Sequence, residues 1–116
     1  MLLVVNRLKK DQDFQSVFKQ GRSFYSDNLR LKVKPNQLSV SRFGVVVGKV
    51  ISKRAVKRNL LRRRLTEILR LKIKAGLVKS GFDVVVNVKP AALGLDYERL
   101  ALEMTELLKK AGLLNK

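Results

Sequence analysis

The sequence predicts an α+β fold in which helices pack on one small sheet, with residues 1–116 forming a single domain. Two runs of β-branched residues, at 45–47 and 84–86, have the length and composition of buried strands. Other apolar residues repeat at helical spacing, as Phe14 and Phe18 do. Hydrophobic residues make up 46% of the chain, enough for a core, and no linker, repeat or low-complexity tract divides it.

The first half of the chain predicts one helix followed by two or three strands. Asp11 and Asp13 mark the start of the helix, because acids are favoured near the positive end of its dipole, and Gly21 is a suitable stop. In residues 28–34, leucine or valine at 29, 31 and 33 alternates with arginine or lysine at 30, 32 and 34, which indicates a strand with one basic face. The predicted elements are a helix from Asp11, a short strand at 22–25, and strands at 28–34 and 42–50.

The second half predicts a long helix, a buried strand and a final helix. Ser52 is a suitable cap for the long helix, which runs to about Lys74 and stops near Gly76. The strand covers 84–88, and the last helix opens at 96–98 and ends at Gly112. The predicted core faces of the two helices are Leu61, Leu65, Ile68 and Leu69, and Leu100, Met104, Leu107 and Leu108.

The charge of the chain points to a polyanionic partner. There are 26 lysines and arginines against 9 acids, a formal net charge of +17. Nucleic acid is the expected partner and a membrane surface the alternative, but the sequence has no long apolar span and no signal-like start. It also lacks cysteine and histidine, the usual zinc ligands, and its acids form no close pair. We therefore expect a cytoplasmic protein without a metal site of its own.

The positive charge is concentrated on the long helix. Between Lys49 and Lys74 there are eleven lysines and arginines and a single acid, Glu67. Arg54, Arg58 and Arg62 are spaced four apart, an arrangement in which like charges repel. A solvated helix normally mixes both signs, so a face for binding nucleic-acid phosphates is favoured over a merely solubilising one. The helix by itself does not distinguish RNA from DNA.

At residues 55–63, which read AVKRNLLRR, the sequence resembles the protein subunit of bacterial ribonuclease P. An alanine, two residues and Arg-Asn, followed by an apolar and basic run, form the family's motif. The N-terminal run 6–21 and the valine-rich strands on either side of the helix agree with it, so the resemblance covers nearly the whole chain. The sequence departs from the family at Thr66, where a basic residue is usual, and also at Val50 and Leu60.

The resemblance implies a two-layer αβββαβα sandwich like the second domain of ribosomal protein S5, with a left-handed βαβ crossover. It also implies a ribonucleoprotein in which the RNA subunit catalyses removal of the 5′ leader from precursor tRNA. Mg²⁺, held mainly by the RNA subunit, would activate the water. This chain would then be the protein cofactor of an endonuclease, without a catalytic residue or metal ligand of its own.

The resemblance implies two RNA-binding sites on the protein. The site for the RNA subunit comprises Lys49, Lys53, Arg54, Lys57, Arg58, Asn59, Arg62 and Arg63. The site for the single-stranded 5′ leader is a cleft lined by Phe14, Phe18, Arg30 and Lys32. Basic residues beside aromatic faces are the usual means of holding a single strand. Plain core packing is the alternative for both phenylalanines, which are four residues apart on one helix face.

Two other classes of protein have a similar composition. A structural RNA-binding protein of the ribosomal type would be equally basic, and the motif at 55–63 is what favours ribonuclease P over it. A DNA-binding regulator would lay the long helix in the major groove, but the sequence shows neither a helix-turn-helix unit nor a dimer interface. We therefore expect no DNA partner and no membrane partner.

Overall fold

The computed structural model describes residues 4–48 and 52–115, and within them the chain forms one four-stranded sheet and three α-helices. The strands are β1 (Arg22–Tyr25), β2 (Leu29–Pro35), β3 (Arg42–Val46) and β4 (Phe82–Val88). The helices are α1 (Asp11–Gln20), α2 (Ala55–Lys74) and α3 (Tyr97–Lys110), with short 3-10 turns at Val4–Asn6 and Pro90–Gly94. The predicted order αβββαβα is confirmed.

The sheet has the spatial order β1-β2-β4-β3. β2 pairs antiparallel with β1 and with β4, whereas β3 pairs parallel with β4, so α2 is the crossover between two adjacent parallel strands. A parallel pair requires such a long connection, and the long helix supplies it. The predicted βαβ crossover is confirmed. Its left-handedness is what the family resemblance implies.

The main core lies between one face of the sheet and the helices α2 and α3. The alternation predicted for β2 is confirmed, since Leu29, Leu31 and Val33 point into this core. The predicted core faces of both helices are also confirmed, because Leu61, Leu65, Ile68 and Leu69 of α2 and Leu100, Met104, Leu107 and Leu108 of α3 are all buried. Burial of each such side chain contributes about 1.5–3 kcal/mol, which fixes the orientation of α2.

Helix α1 covers the opposite face of the sheet. Its buried Val17 packs with Leu8 and with Val85 of β4, a residue whose neighbours Val84 and Val86 belong to the main core. The sheet therefore has helices on both faces, a refinement of the predicted two-layer description. The basic side of β2 lies on this second face, where α1 leaves part of the sheet uncovered.

Two predicted boundaries differ from the structure. Ser52 is not the cap of α2, because the helix begins at Ala55 with Arg54 as the N-cap residue. The Ser52 hydroxyl instead accepts a hydrogen bond from the Arg54 amide at 3.2 Å. β3 ends at Val46, and of the further residues predicted to extend it, 49 and 50 lie outside the described residues. Within the described ranges, no helix has the length and apolarity needed to cross a membrane.

Candidate nucleic-acid interface

The outer side of α2 carries most of the residues predicted to bind the RNA subunit. Burial of Leu61 and Leu65 against the sheet turns the opposite side of the helix to solvent. Of the predicted set, Lys53, Arg54, Lys57, Asn59 and Arg63 are exposed, Arg58 and Arg62 are half-buried, and Lys49 lies outside the described residues. The structure therefore brings seven of the eight predicted residues to the start of one helix.

Two arginines of this face are held in place by neighbours. Arg58 donates from Nη1 to the Ser52 carbonyl at 2.8 Å, which ties the segment before the helix to its second turn. Arg62 donates from Nη1 to Oδ1 of Asn59 at 2.7 Å. A guanidinium has five N–H donors, so each arginine keeps several for a phosphate. Side chains already ordered in this way lose less entropy on binding.

Glu67, the single acid of α2, partly neutralises the charge of Arg70 in the second half of the helix. Glu67 accepts two hydrogen bonds from Arg70, at 2.8 Å to Nε and 2.7 Å to Nη2, and the bond with Arg70 lowers the pKa of Glu67. Arg70 lies about two turns beyond Arg62 on the same helix. Its charge is already partly neutralised, so the strongest uncompensated charge lies in the first half of α2.

A groove of about 650 Å³ runs between α2 and the edge of the sheet. The edge strand is β3, and the N-terminal segment lies along it, with the Leu8 amide donating to the Phe43 carbonyl at 3.0 Å. The lining of the groove combines basic, polar and apolar residues. The basic ones include Arg7, Lys9, Arg62 and Arg63, Thr66 is polar, and Phe14, Gly44, Val45 and Leu60 are apolar. It therefore joins the predicted α2 site to one of the predicted cleft residues.

Phe14 fits against β3 because residue 44 is a glycine. A Cβ atom built at Gly44 would lie 2.4 Å from Cζ and 2.5 Å from Cε1 of Phe14. The half-buried ring both packs on the α1 side of the sheet and lines the groove. Phe18 is likewise half-buried against the cluster of Leu8, Val17 and Val85. Both phenylalanines thus have a packing role and keep an accessible edge.

The other predicted cleft residues, Arg30 and Lys32, lie on the same face of the sheet. The Lys32 ammonium donates to the Phe18 carbonyl at 2.7 Å, so its charge is held against α1. Lys34, two residues further, bonds to the Ser16 hydroxyl. Arg30 makes no such contact with α1 among the described hydrogen bonds. The four predicted cleft residues share a face, but Arg30 is the cation best placed to meet a ligand there.

Arg30 belongs to a line of residues that crosses all four strands. In register, Tyr25 of β1 lies opposite Arg30 of β2, Arg30 opposite Asn87 of β4, and Asn87 opposite Val46 of β3. We call these four residues the sheet row. Tyr25 is 56% exposed, and the Lys89 ammonium lies 5.6 Å from the centre of its ring. An accessible aromatic face beside cations is suited to stacking on a base.

Sequence reasoning missed Tyr25, Asn87 and Lys89. The sequence does single out Asn87, because it is the one amide side chain in the otherwise apolar run 84–88. Tyr25 and Lys89 had none, since their proximity depends on the pairing of distant strands. Lys89 also donates to the Ser26 carbonyl at 2.6 Å, which fixes it near the β1–β2 turn.

Most of the acidic residues lie in the β1–β2 turn and at α3. Five of the nine acids are Asp27, in the β1–β2 turn, and Asp96, Glu98, Glu103 and Glu106, on or before α3. Glu103 accepts hydrogen bonds from Ser26, from the Asn28 amide at 2.8 Å and from the Asn28 side chain at 2.7 Å. Across the described ranges, no group of three or more acids is arranged to hold a metal ion.

The fold and the exposed cations of α2 define an α+β protein with a basic helix face suited to nucleic-acid phosphates. The family model of ribonuclease P matches residues 3–112. The ribonuclease P protein component of Synechocystis sp. is 38% identical over 110 residues, which cover 94% of this chain and 87% of that protein. The one from Clostridium kluyveri is 38% identical over 109 residues, 94% of this chain and 96% of that protein.

A solved structure agrees with these relatives. The ribonuclease P protein from Thermotoga maritima superposes with a TM-score of 0.81 at 30% identity, covering 90% of this chain and 96% of that one. The chain belongs to the ribonuclease P protein component family. Its role is that of the protein cofactor in the ribonuclease P holoenzyme, an RNA-binding subunit in tRNA processing. The partnership with the RNA subunit follows from that membership.

Proposed function

We propose that the first half of α2 and the adjoining groove dock on the RNA subunit, while the sheet face beside α1 holds the 5′ leader of precursor tRNA. The observation that carries the proposal is the different make-up of the α2 face and the sheet row. The first half of α2 presents exposed cations without an aromatic residue, whereas the sheet row places the exposed Tyr25 directly opposite Arg30. The first suits a folded RNA backbone and the second an unpaired strand.

Docking of the RNA subunit is supported by the arrangement of the arginines. Arg58 and Arg62 are ordered by Ser52 and Asn59, and Arg63, next to Arg62 in the chain, lines the groove. A planar guanidinium can grip one phosphate with two donors, which a lysine cannot. The protein's part in cleavage is therefore to bind and position RNA.

Mg²⁺ belongs in this proposal to the RNA subunit. The acids described above do not converge at either RNA surface, and the groove carries Glu67 as its single acid among the described lining residues. Mg²⁺ held mainly by the RNA would supply the activated water. The same proposal places the protein in the cytoplasm, with its precursor tRNA substrate.

The α2 surface is tested by Arg58→Ala and Arg62→Ala. Each is expected to weaken binding to the ribonuclease P RNA and to reduce the slope of log affinity against log salt by about 1, because one phosphate contact is lost. Lys109→Ala, an exposed basic residue in the last turn of α3, is the matched control and should leave both values unchanged. An arginine variant with wild-type affinity and slope would remove that residue from the interface.

The leader surface is tested by the double variant Arg30→Ala, Lys32→Ala. Its preference for precursor over mature tRNA should fall, because only the precursor has a leader. The preference is measured as a ratio of dissociation constants over a series of leader lengths. Since Lys32 also bonds to the Phe18 carbonyl, the unfolding free energy of the variant is measured alongside. Unchanged discrimination at every length would contradict the assignment.

A structural RNA-binding protein of the ribosomal type is the second outcome of these experiments. Tight binding to ribosomal RNA, without stimulation of precursor-tRNA cleavage, would favour it. Duplex DNA is expected not to compete for the α2 surface, because no described element pairs with α2 as in a helix-turn-helix unit.

A further inference from the structure

Two side chains in the middle of the sheet row have hydrogen-bonding capacity that the folded chain does not use. Nε of Arg30 and Nδ2 of Asn87 are buried from solvent, and among the described residues neither has a hydrogen-bond partner. They lie on neighbouring strands at positions directly opposite each other. Both atoms are donors, so neither satisfies the other.

Unused buried donors are costly, by about 1–3 kcal/mol each. The cost is avoidable at residue 87, because Val84, Val85, Val86 and Val88 of the same strand are all buried without penalty. Asn87 also lacks the compensating bonds that other buried polar groups of the chain have. Asp83, for example, accepts from Arg42 and from Asn36. Within residues 4–48 and 52–115, no hydrogen bond to Nδ2 accounts for an asparagine at this position.

The surroundings of the pair indicate where a partner would come from. The pair lies between Tyr25 and Val46 on the side of the sheet that α1 covers only in part, and no described hydrogen bond of α1 reaches this row. Both residues are half-buried, whereas the two donor atoms are fully buried. The terminal torsion of asparagine is broad, so a small rotation turns the Asn87 amide toward the open side.

We infer that Arg30 and Asn87 form a base-reading subsite, which takes the acceptor edge of one unpaired nucleotide in single-stranded RNA. A base carbonyl or ring nitrogen would accept from the two donors, while Tyr25 offers a stacking face for the next base. This inference rests on the proposed leader cleft and goes beyond it. It makes Asn87 a specificity-determining residue, whereas charge alone would hold any leader sequence equally.

The test compares Asn87→Val with the wild type in the reconstituted holoenzyme and in the free protein. The valine variant should unfold at the same or a higher temperature, because an unpaired donor has been removed. Its preference for precursor over mature tRNA should fall about 5- to 10-fold, the equivalent of one or two hydrogen bonds. Asn115→Val, a change of the same kind at an exposed residue, is the control and should not alter the preference.

Base reading is measured with precursors carrying each of the four bases at each leader position. The wild type should discriminate among bases at one position, and Asn87→Val should bind all four alike. Arg30→Lys keeps the positive charge but loses Nε, so it should lose the same discrimination without a change in salt slope. A parallel series with single methylphosphonate linkages separates phosphate contacts from base contacts.

Several results would overturn the inference. One is a marked fall in the melting temperature of Asn87→Val, which would mean that the amide is structural. Another is wild-type base discrimination in both variants. A third is an effect of methylphosphonates at the subsite without any dependence on the base. If the wild type itself shows no preference for precursor over mature tRNA, the leader cleft fails as a whole, which is a different result from failure of the subsite alone.

Discussion

The contact between Gly44 and Phe14 gives a prediction whose size can be worked out from distances. In Gly44→Ala the new Cβ would lie 2.4 Å from Cζ of Phe14, whereas carbon atoms in contact are about 3.5–4.0 Å apart. The ring must therefore move by more than about 1 Å, away from the cluster that includes Val17 and Val85. Overpacking of this kind costs about 1–3 kcal/mol.

The assay is a double-mutant cycle on the free energy of unfolding, measured in urea. We expect Gly44→Ala to be destabilised by about 1–3 kcal/mol, or roughly 4–12 °C in melting temperature for a domain of this size. In a Phe14→Ala background the same change should cost nothing, because the ring it collides with is gone. The coupling energy should then be at least about 1 kcal/mol.

The control is Gly94→Ala, where a new Cβ meets nothing within 4 Å. It should change stability by less than about 0.5 kcal/mol. The reasoning would be refuted if Gly44→Ala were as harmless as Gly94→Ala, or if its penalty were the same with and without the Phe14 ring. Because the ring also lines the groove beside Arg62, Gly44→Ala should in addition weaken binding to the RNA subunit.

Three further predictions concern charge. Burial raises the pKa of Glu103, but hydrogen bonds from Ser26 and Asn28 and the charge of Lys89 outweigh it and the pKa is lowered. The ionised Glu103 carboxylate therefore stabilises the folded protein at pH values above about 4.3, the pKa of a glutamate in the unfolded chain, and this stabilisation is lost as the pH falls through the lower pKa of the folded state. The difference in unfolding free energy between the wild type and Glu103→Gln should accordingly vanish in acid. Arg42→Ala should cost about 1.5–3 kcal/mol in urea unfolding, because the buried Asp83 carboxylate loses its charged partner at 2.7 Å and keeps the Asn36 amide as a donor; a loss below about 0.5 kcal/mol would contradict this. Thr66→Lys adds a cation to the groove and should steepen the salt slope of RNA binding by about 1, and an unchanged slope would place that part of the groove outside the interface.

Local patterns in the sequence were sufficient to predict the helices and strands and the buried faces of α2 and α3. The alternation in β2 was readable because Leu29 and Leu31 enter the main core while Arg30 and Lys32 point the other way. The faces of α2 and α3 were readable because each helix has one buried stripe. Leu60 shows the limit of such patterns, since it is an apolar residue of α2 outside the predicted core face and it lines the groove.

What the sequence did not indicate depends on contacts between distant residues. The position of α1 on the opposite face of the sheet follows from packing of Val17 on Val85, which no local periodicity reports. The tie between Lys32 and the Phe18 carbonyl has the same origin, and it changes which cation of the predicted cleft meets a ligand. The sheet row required the register of all four strands, so Tyr25, and the position of Asn87 opposite Arg30, emerged only from the fold.

The most direct test of the account is reconstitution of the chain with a ribonuclease P RNA at low Mg²⁺, with cleavage of a precursor tRNA as the readout. We predict that the protein stimulates removal of the 5′ leader by the RNA, that Arg58→Ala reduces the stimulation, and that the protein without RNA cleaves nothing. Absence of stimulation, or robust cleavage by the protein in the same buffer without the RNA, would contradict the division of labour between a catalytic RNA and a positioning protein.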